Sequence, residues 1–547
     1  MKTILNGTIL FLLLSSAGVS NPIERVLRID KLEPIKDLRE CVQGADAESF
    51  QIGTASPAGV NLKTLLGPEK KSFAEAMNAI GNPVLRMAEM SRYAWEGAEE
   101  TDILRAQKDS ADWWYAPEDF HRFCKEQGIQ IIGFFDTYRW FDSVKKTHID
   151  LRDPKTKLVS AISDAELASL VAANRKKINW VKKNGYTDRY VAWEIGNENY
   201  APFRDVPEVY ARIALALTKM AKEEIPESRT SVNIFVCAPN DENLTGNLAN
   251  RRPTDISNTY DRWRVWTSLM LKGLGVEARG IHFASVHLYG TSLNYNANQK
   301  GLDTHARFVA AHPNAAHLRF LVTEWRFTAG DDLIGHRNFK MGALWNAKLT
   351  LTFLAHPQVD YTGAHELTTF SGLLYVNDGK VWRTQGTEKN KKPIVAIPAK
   401  AGSPAVEPGP FGPVMRMAND LVRKYPLLIE HKADLGENSS ALFSSEVTGG
   451  KDDGSSGRDL EYLIAVSQKK DSLGGIAVNT LSTPIRVSLK GRFRIASARS
   501  LTCAEAMVFE PEIPGEAKAW SVKDLSPAEG WVTLAPLSVT YFEAKGL

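Results

Sequence analysis

Between residues 50 and 425 the chain alternates short apolar runs with longer amphipathic runs, and this alternation restricts its fold more than any other feature. Short apolar runs predict buried strands, and apolar residues three or four apart predict helices packed on a sheet. The predicted strands are 50–53, 84–87, 129–135, 190–195, 232–237, 281–288, 319–323 and 359–364. The predicted helices lie near 73–80, from 117 onward, and at 164–184, 207–223, 259–274, 304–311, 339–355 and 414–423. Eight strand-helix units in succession indicate an α/β fold, a closed (β/α)₈ barrel, over residues 50–425.

An open doubly wound sheet would show the same alternation, but no glycine-rich phosphate turn follows the first predicted strand. After residue 425 the pattern changes to short β-rich runs separated by Gly, Ser and Asp, which predicts an all-β sandwich over 426–547. Residues 25–30 alternate in the same way, so the segment 21–49 is interpreted as a source of one more sandwich strand.

Residues 1–20 resemble a secretory signal peptide, with Lys2, an apolar stretch at 9–14 and small residues at 15–20. We therefore expect a secreted or periplasmic protein without a membrane span. The 67 Lys and Arg against 64 Asp and Glu leave a net charge of +3, which argues against a nucleic-acid partner. The four cysteines have no zinc-site spacing, and buried thiols are favoured over a disulfide, with one disulfide left open.

Two glutamates follow predicted strands at one end of the barrel. Glu198 comes after the fourth strand in the run 193–200, and Glu324 ends the seventh strand beside Trp325. Functional groups of such barrels lie at the carboxyl ends of the strands, so both can reach over one mouth. Two carboxyl groups that flank a bond are what glycoside hydrolysis needs, one protonated with a raised pKa and the other ionised.

The asparagine-glutamate pair after the fourth strand and the glutamate after the seventh resemble clan A glycoside hydrolases, in particular family 51 arabinofuranosidases and families 39 and 79. The resemblance implies a retaining enzyme with Glu198 as acid/base and Glu324 as nucleophile, their carboxyl groups about 5–5.5 Å apart. It also implies that Asn197 binds a sugar hydroxyl and that Arg86 lies near the nucleophile.

Further substrate-binding candidates come from the residues themselves. His287 and Tyr289 end the sixth strand, where the Tyr289 hydroxyl is expected to orient Glu324. Trp325 and Tyr200 are candidates for stacking on sugar rings. A carbohydrate substrate and no metal or cofactor are expected, and the oligomeric state is left open.

Three functions remain compatible with these residues. The first is cleavage of plant or algal polysaccharides or oligosaccharides, arabinofuranosidase-like by resemblance. The second is an endo-acting β-agarase or porphyranase of the same clan. The third is a carbohydrate-binding protein on a barrel that has lost catalysis, which the presence of both glutamates disfavours.

Overall fold

The computed structural model describes most of the barrel and the sandwich. The described residues are 22–29, 31–39, 41–46, 66–67, 70–87, 117–142, 144–235, 251–290, 295–327, 340–365, 367, 373–376, 380–383, 395–398, 406–435, 458–481, 483–503 and 520–547. No helix within these ranges combines the length and the apolar character needed to cross a bilayer.

Eight parallel strands close into a barrel, which confirms the predicted fold and excludes the open sheet. In chain order they are Val42–Asp46, Val84–Arg86, Ile131–Phe135, Tyr190–Ile195, Thr230–Asn233, Phe283–Gly290, Arg319–Phe327 and Val359–Ala364. The last strand pairs in parallel with the first, so the ring has no open edge. Below, these strands are called the first to the eighth barrel strand.

Amphipathic helices surround the strands and bury their apolar stripes against them. The described α-helices are Lys70–Ala79, Pro117–Gln127, Asp164–Lys183, Pro207–Glu224, Thr259–Leu274, Tyr295–Ala310, Asn346–Ala355 and Gly412–Lys424, and a π-helical turn, Lys340–Trp345, precedes Asn346–Ala355. A hairpin, Arg139–Asp142 with Thr147–Asp150, follows the third barrel strand.

The first barrel strand is Val42–Asp46, so the prediction that the barrel begins at residue 50 is wrong. Residues 50–53 lie outside the described residues. The true strand is short and includes Gln43, whose polar side chain is buried and accepts a hydrogen bond from Thr362 at 2.8 Å. Asn419 holds the strand from outside, because its side chain bonds both the N–H and the C=O of Gln43. A buried polar residue hides a strand from a search for apolar runs.

The C-terminal unit is a sandwich of two sheets, as predicted. One sheet contains Lys36–Asp37, Leu427–Leu435, Arg458–Val466, Ser472–Asn479, Ser538–Gly546, Phe493–Cys503 and Trp520–Leu525 in spatial order. The other contains Ile23–Arg28, Ile485–Lys490 and Trp531–Leu534. The two sheets share an apolar core. The strand expected at 25–30 is therefore present as Ile23–Arg28, and it pairs in parallel with Ile485–Lys490.

Two short antiparallel strand pairs follow the eighth barrel strand in the described residues. Leu374–Val376 pairs with Val406–Pro408, and Lys380–Arg383 pairs with Val395–Pro398. Two of the cysteines, Cys41 and Cys124, are buried thiols, as the sequence favours.

Candidate active site

The floor of the barrel mouth is built around one buried arginine. Arg86 ends the second barrel strand and is 1% exposed. Its Nε donates to Glu194 at 2.6 Å, its Nη1 to Glu324 at 2.8 Å and its Nη2 to Asn197 at 2.7 Å. A buried guanidinium is stable when its donors are satisfied by carboxylates in this way. Arg86 is thus both a structural ion pair inside the barrel and a direct neighbour of the predicted nucleophile.

The chain after the fourth barrel strand makes a tight turn that exposes Glu198. Gly196 has φ of 72° and Glu198 has φ of 47°, so both lie in the left-handed region. A side chain at Gly196 would overlap the side-chain amide of Asn199, which leaves room only for glycine. A glutamate in this backbone conformation is uncommon, and such strain is typical of functional positions.

Asn199 fixes that turn. Its Nδ2 donates to Ile195 O at 2.9 Å and to Asn233 Oδ1 at 2.5 Å, and its Oδ1 accepts from Thr137 Oγ1 at 2.7 Å. These bonds join the ends of the third, fourth and fifth barrel strands. The direction of the Glu198 side chain is therefore set by three strands rather than by a loose loop.

His287 and Glu324 are register partners on the adjacent sixth and seventh barrel strands, so both side chains leave the sheet on the same side. The Nδ1 atom of His287 lies 3.1 Å from Oε1 of Glu198 and 3.3 Å from Oε2 of Glu324. One ring N–H therefore lies between the two carboxylates. Its other ring nitrogen, Nε2, is buried and has no hydrogen-bond partner in the structure as described.

The two glutamates differ in exposure. The Glu324 side chain is 6% exposed, whereas that of Glu198 is 46% exposed and receives a hydrogen bond from the Tyr200 hydroxyl at 2.8 Å. One carboxylate oxygen of each lies within 4.8 Å of the other. The two carboxylates therefore face the same point of the barrel mouth.

The environment shifts the pKa of two of these groups. The hydrogen bond from His287 is the largest influence on Glu198, and with the charge of His287 and the Tyr200 bond it lowers the pKa of that carboxyl despite burial and the charge of Glu324. Burial opposes a charge on His287, but Glu324 and the bond to Glu198 outweigh it, so the pKa of the imidazole is raised. The expectation of a raised pKa at Glu198 is thus wrong for the unliganded protein, because the adjacent imidazole competes for the proton.

Glu198, His287 and Glu324 are also the described residues whose ligand atoms cluster closely enough for a metal ion. The site does not suit a resident cation, however. Arg86 already places a positive charge 2.8 Å from Glu324, and His287 Nδ1 occupies the space between the carboxylates. Repulsion from Arg86 would oppose a divalent ion there.

The structure gives different surroundings to the remaining predicted residues. Trp325 is fully buried against Phe353 and Phe411, so the prediction that it stacks on a sugar is wrong. Tyr200 is 8% exposed, with its ring packed against Phe235 and Trp263, so it positions Glu198 through its hydroxyl rather than offering a ring face.

Side chains alternate along a strand, and Trp325 follows the inward-facing Glu324, which explains its outward direction. Tyr289 lies in the sixth barrel strand, but its side chain is outside the described residues.

A second layer of polar residues was missed by the sequence interpretation. Glu194 is fully buried, and its Oε1 accepts from Thr323 Oγ1 at 3.1 Å and from Asn233 Nδ2 at 3.2 Å. The Tyr210 hydroxyl donates to Ile195 O at 2.8 Å. Glu194 could have been found from sequence, because it is a charged residue inside the apolar run 190–195. A buried acid in a barrel strand requires a cationic partner, which indicates a polar contact inside the barrel.

This architecture is shared with solved carbohydrate-active enzymes. An α-L-arabinofuranosidase from Thermotoga maritima, solved with arabinose, aligns over 95% of this chain and 99% of its own, with a TM-score of 0.60 and 15% identity. The two chains have the same fold. A glucosidase from Croceicoccus marinus aligns over 96% of this chain and 100% of its own, with a TM-score of 0.52 and 11% identity.

A family GH86 protein solved in complex with neoagarooctaose aligns over 95% of this chain and 78% of its own, with a TM-score of 0.51 and 10% identity. No protein-family model and no curated protein sequence matches this chain. The resemblance to the clan A fold inferred from the two glutamates is confirmed as a resemblance of fold, since function must be argued from the site.

Proposed function

We propose that this protein is an exported retaining O-glycoside hydrolase that cleaves plant or algal polysaccharides or oligosaccharides, with Glu324 as nucleophile and Glu198 as acid/base. The observation that carries the proposal is the carboxylate pair at the barrel mouth, with oxygens within 4.8 Å of each other and different surroundings. Retaining glycosidases hold their carboxyl groups about 5–5.5 Å apart, and inverting enzymes hold them farther apart.

The first step forms a covalent glycosyl-enzyme. Glu324 attacks the anomeric carbon while the bond to the leaving oxygen breaks and Glu198 delivers a proton to that oxygen. Arg86, 2.8 Å from Glu324, keeps the nucleophile ionised and oriented. In the second step Glu198 takes a proton from water, and the resulting hydroxide displaces Glu324 from the sugar. Asn197, held by Arg86, is assigned to the hydroxyl beside the anomeric carbon.

His287 supplies the proton that Glu198 needs. Two states of the site contain the same number of protons. In one the imidazole is protonated and both glutamates are ionised; in the other the imidazole is neutral and Glu198 is protonated. They differ only by transfer of one proton across the 3.1 Å contact between His287 Nδ1 and Glu198 Oε1. Substrate binding excludes water from Glu198, which favours its neutral form. The lowered pKa of Glu198 in the unliganded protein is therefore compatible with its role as acid.

Arabinofuranosides are the first substrates to test, because the arabinofuranosidase alignment covers nearly the full length of both chains. The second candidate is an endo-acting agarase-like activity, favoured by the alignment with the neoagarooctaose complex. A panel of 4-nitrophenyl glycosides together with arabinan, xylan, agarose and porphyran separates the two. Release of nitrophenol from an arabinofuranoside supports the first, and shortening of agarose or porphyran supports the second.

Variants of the two glutamates test the mechanism itself. Glu198→Gln and Glu324→Gln should each lose most activity, and the exposed Glu277→Gln serves as the matched control. Glu198→Ala should retain turnover of substrates with good leaving groups and be rescued by azide, whereas Glu324→Ala should form no glycosyl-enzyme. An inverted anomeric configuration in the first-formed product, seen by NMR, contradicts the retaining mechanism. Sugar binding without turnover on every substrate supports the non-catalytic alternative.

A further inference from the structure

A second cavity, of about 430 Å³, lies at the end of the barrel opposite the glutamates. Val84 begins the second barrel strand, Gln130 immediately precedes the third and Arg189 immediately precedes the fourth, so these lining residues mark the amino ends of the strands. Gln468, in the turn before Ser472–Asn479, adds a lining residue from the sandwich. The cavity therefore lies at the junction of the two units, away from the catalytic mouth.

The polar lining is cationic and amide-rich. It consists of Arg39, Arg189, Arg423, Asn82, Gln130 and Gln468, and no carboxylate is among the described lining residues. Each of Arg39 and Arg189 bonds an aspartate close in sequence, Asp37 and Asp188 respectively. These two pairs hold the guanidinium groups in place while neutralising part of their charge.

Arg423 has the largest capacity left for a ligand among the arginines whose bonds are described. Its Nη2 donates to Gly81 O at 2.9 Å, which anchors the side chain, and its Nε and Nη1 bond no group in the described ranges. Nη1 of Arg189 is likewise without a described partner. The side-chain amides of Gln130 and Gln468 also make no hydrogen bond to a described residue, so donors and acceptors face the cavity together.

We propose that this cavity is a non-catalytic binding site for an acidic sugar unit, a monosaccharide or chain end that bears a carboxylate. Guanidinium groups recognise a planar carboxylate through paired N–H donors. Amides both donate and accept, which suits the hydroxyl groups of a sugar ring. The volume lies within the range of small-ligand sites and is sufficient for a sugar ring.

Few apolar groups line the cavity, which disfavours a lipid or aromatic ligand. Val84, Val422 and Pro426 supply the apolar contacts, and no aromatic ring is among the described lining residues.

Such a site would retain the enzyme on an acidic polysaccharide while the mouth at the other end engages a chain. The inference does not depend on Glu198 or Glu324, so its failure and the failure of the glycosidase proposal are separate results.

Calorimetric titration of the full chain tests the site with three probes, namely glucuronate, glucose and inorganic sulfate. Glucuronate should bind most tightly. Gln468→Glu places a carboxylate in the lining without removing a described hydrogen bond, and should weaken glucuronate binding by about tenfold or more through charge repulsion. Lys523→Gln, on the exposed part of Trp520–Leu525, makes the same change in net charge and should leave binding unaltered.

Arg423→Gln gives a second measurement, because it should also weaken glucuronate binding while hydrolysis of the aryl glycoside stays unchanged. Equal binding of sulfate and glucuronate would show a site for small anions only and would overturn the acidic-sugar assignment. Binding that is absent, or that is unaffected by Gln468→Glu, would overturn the site itself.

Discussion

His287 donates from one nitrogen toward both glutamates of the candidate site, and this shared contact determines how the site holds its proton. The raised pKa of His287 and the lowered pKa of Glu198 describe one proton that rests on the imidazole when no substrate is bound. Interacting groups of this kind titrate as a set. The pH dependence of activity should therefore report the pair rather than Glu198 alone.

Replacement of His287 tests this. In the native protein the basic limb of the pH profile of kcat/KM should follow loss of the shared proton. Its apparent pKa should lie above the ordinary imidazole value of 6.5, because the pKa of His287 is raised. In His287→Asn the proton must reside on Glu198, so the basic limb should move to lower pH. The measurement is a pH profile for a substrate with a poor leaving group. A substrate with a good leaving group needs little protonation and is the internal control.

A basic limb that stays in place in His287→Asn would contradict the shared proton. His287→Ala serves as a second comparison, since it removes the donor as well as the titration. If the charge of His287 determines the pH dependence, and not only its hydrogen bond, the basic limb should move to lower pH by the same amount in both variants.

At this scale the sequence identified residues that the structure brings together, but not their side-chain directions. Glu198, Glu324 and Arg86 were identified because strand ends and charge are visible in sequence. The direction of Trp325 depends on which face of its strand points inward, and the role of Tyr200 depends on a contact with Glu198 that only the folded turn creates.

Among the elements, the turn after the fourth barrel strand positions Glu198, the proposed acid/base. Gly196 and Glu198 are both left-handed, and Asn199 ties the turn to the third and fifth strands. We expect Gly196→Ala to displace Asn199 and shift Glu198, since the added methyl group overlaps the amide. Activity should fall by about 10²-fold, as expected for a misplacement of about 1 Å.

Circular dichroism and the unfolding midpoint of Gly196→Ala separate a displaced turn from a global loss of structure. Native-like spectra with reduced kcat support the role of the turn. Full activity in this variant would show that Asn199 does not determine the direction of Glu198.

A second element contact joins the edge of the sandwich to the bottom of the barrel. The Lys36 ammonium is buried and donates to Leu354 O at 2.9 Å, His356 O at 2.6 Å and Val359 O at 2.8 Å. Leu354 lies in the last turn of Asn346–Ala355 and His356 directly follows it, at the helix end where a positive charge is favoured. Burial, with the charge of Lys36 as a further cause, lowers the pKa of His356 to about 4 although Asp303 opposes the shift.

The lowered pKa of His356 predicts acid sensitivity. Between the ordinary value of 6.5 and about 4 the unfolded chain binds a proton at His356 that the folded chain does not, so stability falls as the pH is lowered through this window. The loss from this group amounts to roughly 3 kcal/mol across the window. Urea unfolding at pH 7 and pH 4.5 should show a smaller difference for His356→Gln than for the native protein. An equal difference would contradict the assignment.

Most elements were predictable because burial on two sides gives barrel strands uninterrupted apolar runs. The fourth strand, Tyr190–Ile195, and the eighth, Val359–Ala364, have the predicted bounds. The first strand, Val42–Asp46, was not predicted, because its contacts with Thr362 and Asn419 come from residues more than 300 positions away.

On the scale of the whole molecule, one apolar cluster spans the barrel and the side of the sandwich that faces it. The largest buried cluster includes Phe411 and Leu421 of the barrel side together with Ile476, Val539 and Tyr541 of the sandwich. Ion pairs border this contact, with Arg499 to Asp420 at 2.5 Å and Lys424 to Glu543 at 2.8 Å. We therefore expect the two units to unfold together rather than in separate transitions, and truncation after residue 425 to leave an insoluble or inactive barrel.

Gly474 offers a point test of this contact. A methyl group there would overlap the Tyr425 ring and approach Leu421 at 3.0 Å. Gly474→Ala should lower the free energy of unfolding by about 1–3 kcal/mol through overpacking. Calorimetry should show one transition moved to lower temperature. Gly280→Ala, where an added methyl meets only ordinary contacts, is the matched control, and two separated transitions in Gly474→Ala would contradict a shared core.

The strand Ile23–Arg28 is synthesised before the barrel, yet its register partner Ile485–Lys490 is more than 450 residues later. During synthesis this strand remains unpaired while the entire barrel is made. A parallel pairing across such a separation has a high cost in loop closure and forms slowly. Completion of the sandwich thus follows synthesis of the barrel, and the early strand remains accessible to chaperones until then. Nascent chains arrested before residue 485 should show rapid amide exchange at 23–28, and protection there would contradict this order of events.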